Sequence, residues 1–192
     1  MHRDRNCTDG EALERYRGYL HLLASQQVAP RFRGKVDLSG AVQETLFEAQ
    51  REFTNGLKVP SGQRLPWLRH ILANNLGDEL RRVTADKRDI RREVPLHQSV
   101  ETSSHQLELW LARDLAPPSA VENEESILRL AAFLGQLPAP QQAALILHYW
   151  SGWTLAQIAE HIDRSRDAVA GLIKRGVETL RQRLTEEESH NA

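Results

Sequence analysis

Apolar residues recur at three- and four-residue intervals along most of the chain. Leu13, Tyr16, Leu20, Leu23 and Ala24 share one face and predict a first helix that ends before Pro30. Val42, Leu46, Ala49 and Phe53 form a second stripe, with Ser39 as its expected N-cap and Asn55-Gly56 as its end. A third helix is expected to begin at Pro66, whose missing N–H is harmless in a first turn. It carries Trp67, Leu68, Ile71, Leu72, Leu76, Leu80 and Val83 on one side and polar residues on the other. No stretch alternates with the period of a strand, and no internal repeat is found. The fold class predicted is all-α.

In the second half a helix is expected from about Asn123 to Leu137, stopped by Pro138-Ala139-Pro140, and an apolar one from Gln141 to Tyr149. After the turn Ser151-Gly152-Trp153, the residues Thr154-Leu155-Ala156-Gln157 match a capping box, so a helix must start there. It has room to run only to about His161, because Ser165 is a second N-cap, opening a helix with Val169, Leu172, Ile173, Val177 and Leu180. Between the two halves lie Pro95, the polar run Ser99 to Ser104, and Pro117-Pro118. This stretch reads as a linker with one short helix near Gln106 to Leu115.

Composition narrows the classes. The chain has 192 residues, 25 Lys and Arg against 26 Asp and Glu, and a formal charge of −1. That length allows one domain or two small ones. A single cysteine, Cys7, excludes an intramolecular disulfide and a cysteine-rich zinc module. There is no run long enough for a membrane span, and the polar start lacks the apolar stretch of a signal peptide, so a cytoplasmic protein with no membrane partner is expected.

The near-zero charge hides a pattern. Residues 31–93 hold thirteen basic against nine acidic residues (+4), 94–126 one against six (−5), 164–184 six against two (+4), and 185–192 three acidic residues only (−3). The last of these reads as a solvated end.

The short helix, tight turn and longer basic helix at 154–184 have the geometry of a helix-turn-helix, whose second helix enters the major groove of DNA. Ala159 permits close approach, and Asp163 stands where such turns often carry glycine. The outer face of the second helix offers Arg166, Asp167, Ala170, Lys174 and Arg175, preceded by Arg164 and followed by Arg181 and Arg183. Two readings of this spacing stand: DNA binding, or an αα-hairpin whose cations only solvate a helix face. The first basic block is equally open. Arg64, Arg69, Arg81, Arg82, Lys87, Arg88, Arg91 and Arg92 lie along the third helix and its extension, Trp67 fits a core position as well as a base-stacking one, and Asn74, Asn75 and Asp78 can bond nucleobases or water.

Taken together, the residues resemble the sigma-70 family, in particular its compact extracytoplasmic-function (ECF) group. Leu38-Ser39-Gly40-Ala41-Val42-Gln43-Glu44-Thr45 is similar to the Asp-x-Val-Gln-Glu-Thr element of region 2.2, with Gly40 where the family usually has Asp. The resemblance implies that Val42, Gln43, Glu44 and Thr45 contact the clamp helices of the RNA polymerase β′ subunit. Trp67-Leu68-x-x-Ile71-x-x-Asn74-x-x-x-Asp78-x-x-Arg81-Arg82 is similar to the region 2.3 to 2.4 helix, which captures and melts the −10 promoter element. Arg64, Trp67, Arg69, Asn74, Asp78, Arg81 and Arg82 are the residues this implies. Leu137-Pro138 through Leu147, Gly152 through Ala159 and Ser165 through Leu184 look like region 4, which reads the −35 element and meets the polymerase β flap. Arg164, Ser165, Arg166, Asp167, Ala170, Lys174 and Arg175 are implied there. Ala170-Gly171-Leu172 depart from the Lys-Ser-Arg type common in the family, which implies poorer direct readout at those positions and leaves Arg164, Arg166, Lys174 and Arg175 to position phosphates.

The resemblance thus implies a sigma factor of two small helical domains, 11–93 and 122–184, joined by an acidic linker, 94–121, and followed by an acidic tail, 185–192. Neither a long N-terminal inhibitory segment nor a separate third domain is expected. The partners implied are core RNA polymerase and promoter DNA, with an anti-sigma protein as a further candidate. The alternative reading is a two-domain helix-turn-helix regulator that acts without replacing a sigma factor. An enzyme has little support: there is no His-Glu-x-x-His, P-loop or dinucleotide fingerprint. His148 and His161 read as ordinary helix histidines, and no catalytic residue, cofactor or metal is expected.

Overall fold

A computed structural model describes residues 12–32, 34–84, 96–115 and 124–190. Among them the regular elements are α1 (Arg17–Gln27), α2 (Leu38–Thr54), α3 (Ser61–Thr84), α4 (Leu96–Trp110), α5 (Glu124–Gln136), α6 (Ala139–Leu145), α7 (Leu155–His161) and α8 (Arg166–His190), with a 3-10 turn at Pro30–Phe32. The helices α4 and α6 run on into five-residue π turns, Leu111–Leu115 and Ile146–Trp150. The all-α expectation holds. Lys87, Arg88, Arg91, Arg92, Pro95, Pro117, Pro118, Asn123 and Cys7 lie outside the described residues.

The chain divides into two units, Met1–Ser104 and His105–Ala192, and the division falls inside α4. In the first unit α1, α2 and α3 pack on one another. Tyr16, Tyr19, Leu20 and Leu23 of the N-terminal segment are fully buried, as are Leu68, Leu72 and Leu76 of α3. The end of α2 is a Schellman turn: Gly56 N–H donates to the Phe53 carbonyl at 3.0 Å and Leu57 N–H to that of Glu52 at 3.0 Å. Gly56 takes φ +94°, which a side chain would resist.

Two helix starts differ from expectation. Asp37, not Ser39, caps α2, its carboxylate accepting the Gly40 N–H at 2.8 Å. Gly40 fits this cap because a Cβ there would lie 2.8 Å from the Asp37 Cγ. Helix α3 begins at Ser61 rather than Pro66, one turn of helix preceding the proline. Its start is tightened by Gln63 N–H donating to the Pro60 carbonyl at 2.9 Å.

The polar run Ser99 to Ser104 forms part of helix α4, which begins at Leu96, well before the expected Gln106. Its serines face inward. Ser99 Oγ donates to Gln27 Oε1 at 2.5 Å, and Gln27 Nε2 donates to Ser103 Oγ at 2.9 Å. Ser104 Oγ lies 3.0 Å from the Tyr19 hydroxyl, and Val100 beside it is fully buried. The hydroxyls of Ser99, Ser103 and Ser104 each find a partner on α1.

In the second unit α5, α6 and α7 pack around α8. Their core contains Ala144, Ile158, Ala159 and Val169, with Leu147, Trp153, Leu155, Ile162, Leu172 and Ile173 packed against it. Helices α6 and α8 approach so closely that a Cβ on Gly176 would sit 2.7 Å from Leu145 Cδ1. Trp110 stacks on Tyr149 with ring centroids 4.6 Å apart, and burial together with the Asp114 carboxylate pushes the Tyr149 phenol up. Helix α8 continues through the acidic stretch to His190, so the segment expected to be a solvated end prolongs a helix.

Candidate nucleic-acid interface

The second unit presents a helix, a turn and a longer helix. Thr154 closes a capping box: its Oγ1 accepts the Gln157 N–H at 3.3 Å, and Gln157 Oε1 accepts the Thr154 N–H at 2.9 Å. At the far end of α7 the Arg164 N–H reaches back to the Ala159 carbonyl at 2.9 Å. This six-to-one bond requires a left-handed residue between them. Asp163 supplies it at φ +52°, the one non-glycine with positive φ among the described residues. Ser165 then opens α8, its Oγ accepting the Ala168 N–H at 3.1 Å. The chain is thereby turned in four residues, and Ala159, nearly buried, packs in the core shared by α7 and α8.

The outer face of α8 is fixed by what is buried opposite. Val169, Val177 and Leu180 point into the core, which leaves Arg166, Asp167, Ala170, Lys174 and Arg175 exposed, with Arg164 and Ser165 exposed just before them. Lys174 lies 3.9 Å from Glu178, a loose pair worth little in water. Leu172, one of the departures from the family pattern, packs against the core rather than facing out. Arg181 and Arg183 are bound to the fold: Arg181 Nε donates to the Asp114 carbonyl at 2.8 Å, and Arg183 Nη1 to Gln136 Oε1 at 2.6 Å. Arg183 also lies over the Phe133 ring. His148 Nδ1 is 3.0 Å from the Trp153 carbonyl, and His161 meets the Trp153 ring edge-on.

Residues 127–180 match the family model of sigma-70 region 4. The second unit contains a sigma-70 region 4 domain. No curated protein matches the chain. In this domain α7 and α8 are the two helices of the helix-turn-helix, and residues Arg164 to Arg175 supply the exposed face of its second helix. The match supports a sigma-factor-like role in transcription for this chain.

The first unit sorts its sequence-predicted residues into two groups. Asn74, Asp78, Arg81 and Arg82 are exposed along α3. Asp78 pairs with Arg81 and Glu79 with Arg82, the latter at 2.7 Å. Exposed pairs of this kind contribute about 0–1 kcal/mol, so exchanging a carboxylate for a phosphate costs such an arginine little. Asn74 Oδ1 is 3.1 Å from His97 Nε2, and His97 lies against His70 with ring centroids 4.5 Å apart. Trp67 is half-buried beside Phe53, at 5.2 Å between centroids, and Arg64 is half-buried as well.

Arg69 is different. It is buried, and its Nε and Nη2 each donate to Glu101 at 2.7 Å, while Nη1 donates to the Tyr19 hydroxyl at 3.0 Å and to Ser104 Oγ at 3.1 Å. Burial opposes its charge, but the forked bonds to Glu101 and the neighbouring Tyr19 outweigh that and hold the guanidinium above its ordinary range. The geometry withdraws Arg69 from the surface.

Of the residues implied for polymerase contact, Val42 and Thr45 are buried; Thr45 Oγ1 donates to the Ala41 carbonyl at 2.8 Å and accepts from Asn75 at 3.3 Å. Gln43 and Glu44 are exposed, and Arg17 donates to Gln43 Oε1 at 2.8 Å. Phe47, which sequence reasoning passed over, is 57% exposed on the same face. Its signal is that it stands one residue off the apolar stripe of α2, three and four positions after Glu44 and Gln43.

Proposed function

We propose that the chain is an ECF-type sigma factor, a dissociable initiation factor that directs core RNA polymerase to particular promoters. The observation that carries this reading is the region 4 helix-turn-helix with Arg164, Arg166 and Lys174 displayed on one outer face. On this reading the proposed domains are the sigma region 2-like 11–93, with the first half of α4 (residues 96–104) packed onto it, and the region 4 domain 122–184. In the first of these, α3 turns Asn74, Asp78, Arg81 and Arg82 toward the −10 element, with Trp67 half-available for stacking. Gln43, Glu44 and Phe47 of α2 face the β′ clamp helices, with Val42 and Thr45 holding that helix in place from inside. Arg69 acts in the fold and not on DNA. The polymerase supplies the chemistry of RNA synthesis.

The test is transcription in vitro with core RNA polymerase and a promoter library. Specific transcripts that appear only with this protein are expected; operator-like DNA binding without any transcript would favour the regulator reading and sink this one. In the same system Asn74→Ala should weaken promoter opening, read by permanganate reactivity, more than it weakens polymerase binding. Equal loss of both would remove Asn74 from the DNA. Arg166→Ala and Lys174→Ala should each weaken binding of −35-bearing DNA about three- to tenfold and reduce the slope of log K against log salt by about one. An unchanged slope would put these side chains away from phosphates.

A further inference from the structure

Gly171 sits in the second turn of α8, where alanine would make a more stable helix. Backbone geometry does not require it, since it lacks the positive φ of Gly34, Gly56 and Gly152. Helix packing does not require it either. A Cβ on Gly176 would meet the buried Leu145, but the three atoms nearest a Cβ on Gly171 all belong to the exposed Arg175 guanidinium, Nη1 at 3.1 Å and Cζ and Nη2 at 3.7 Å. Helical side chains lean toward the N-terminus, so the tip of residue 175 comes to rest over residue 171.

Resting on the reading of α8 as the helix that enters the groove, we propose that Gly171 is a seat that lays the Arg175 guanidinium along α8 toward its first turns, where it reads a guanine edge in the major groove. The missing methyl lets the planar fork rest against the second turn of α8, in the N-terminal part of a recognition helix that meets base edges. Arginine held in one direction presents two donors to guanine O6 and N7, which a lysine in its place does not. Gly171 is thus a positioning residue, and the small side chains of Ala170 and Gly171 serve a specificity that this chain places on Arg175.

The experiment selects binding sites from a randomised duplex library with the full-length chain, free and bound to core RNA polymerase, for wild type, G171A, R175K, R175A and R166A. G171A should melt about 2–4 °C higher than wild type, because alanine favours the helix. It should nonetheless lose about tenfold or more of the preference for guanine at one position of the selected motif, as should R175K and R175A, with other positions unchanged. R166A should weaken all sequences alike. A motif identical to wild type for G171A overturns the proposal, and so does an equal loss on every sequence, which would make Arg175 a phosphate contact. If wild type enriches no sequence in either form, the groove reading of α8 itself fails; if R166A weakens binding while G171A changes nothing, that reading stands and the seat alone is rejected.

Discussion

Arg69→Ala is expected to destabilise the first unit by about 2–4 kcal/mol. The substitution removes a bidentate pair with Glu101 and two hydrogen bonds to Tyr19 and Ser104, and it leaves space where a buried side chain lay. Loss of a charged donor costs more than loss of a neutral one, because the hydroxyls of Tyr19 and Ser104 remain inside. Glu101 is half exposed and returns to water, which keeps the expected cost below that of stranding a fully buried carboxylate. Arg69→Lys keeps the charge but not the fork and should fall between. Denaturant unfolding is the measurement: the midpoint should fall with the slope unchanged. A shift smaller than about 0.5 kcal/mol would show that the network contributes nothing. DNA affinity of the folded variant should equal that of wild type, and a specific loss would return Arg69 to the promoter face.

The second large effect is expected at Gly176. Valine there places a Cβ 2.7 Å from Leu145 Cδ1 and 3.3 Å from its Cγ, and Leu145 is fully buried and cannot swing away. Overpacking of this kind costs about 1–3 kcal/mol, only partly offset by the better helix propensity of valine over glycine. Gly176→Ala should cost less than Gly176→Val. The pair Gly176→Val with Leu145→Ala supplies the control: if the clash is the cause, the double variant should be more stable than the sum of the single effects predicts, with a coupling of about 0.5–3 kcal/mol. Additive losses would place the damage elsewhere. Because Gly176 lies where α6 packs on α8 and away from the outer face of α8, the −35 binding proposed for that face should weaken only as far as the unit unfolds.

Local signals in the chain were read correctly where their causes are local. The Thr154–Gln157 box, the Ser165 cap, the Asn55-Gly56 end and the left-handed Asp163 all depend on bonds spanning three to six residues. The outward set on α8 followed from helical periodicity for the same reason. Where the cause is distant, the pattern misled. Arg69 looked like part of a basic surface block, yet its partners are 32, 35 and 50 residues away. Ser99 to Ser104 looked like linker because serine is polar, and only α1, more than 70 residues earlier, shows that they are interior hydroxyls. Arg181 and Arg183 shared the periodicity of the outward cations of α8 but are engaged by Asp114 and Gln136. Val42 and Thr45 were named from a motif that mixes inner and outer faces, and Phe47 lies outside both that motif and the apolar stripe of α2.

The hydroxyl seam between α1 and α4 has a consequence for register. Each neutral bond in it contributes little net free energy, since water would satisfy the same groups in the unfolded chain. Displacement is another matter. Sliding α4 along α1 by one turn, about 5.4 Å, would carry Ser99, Ser103 and Ser104 past Gln27 and Tyr19 and leave polar atoms facing leucines. A greasy seam would tolerate several alignments of similar depth, whereas this one is selected by the penalty attached to every neighbouring alignment. The serines settle where along α1 the helix stops, and the leucines settle only that it stays.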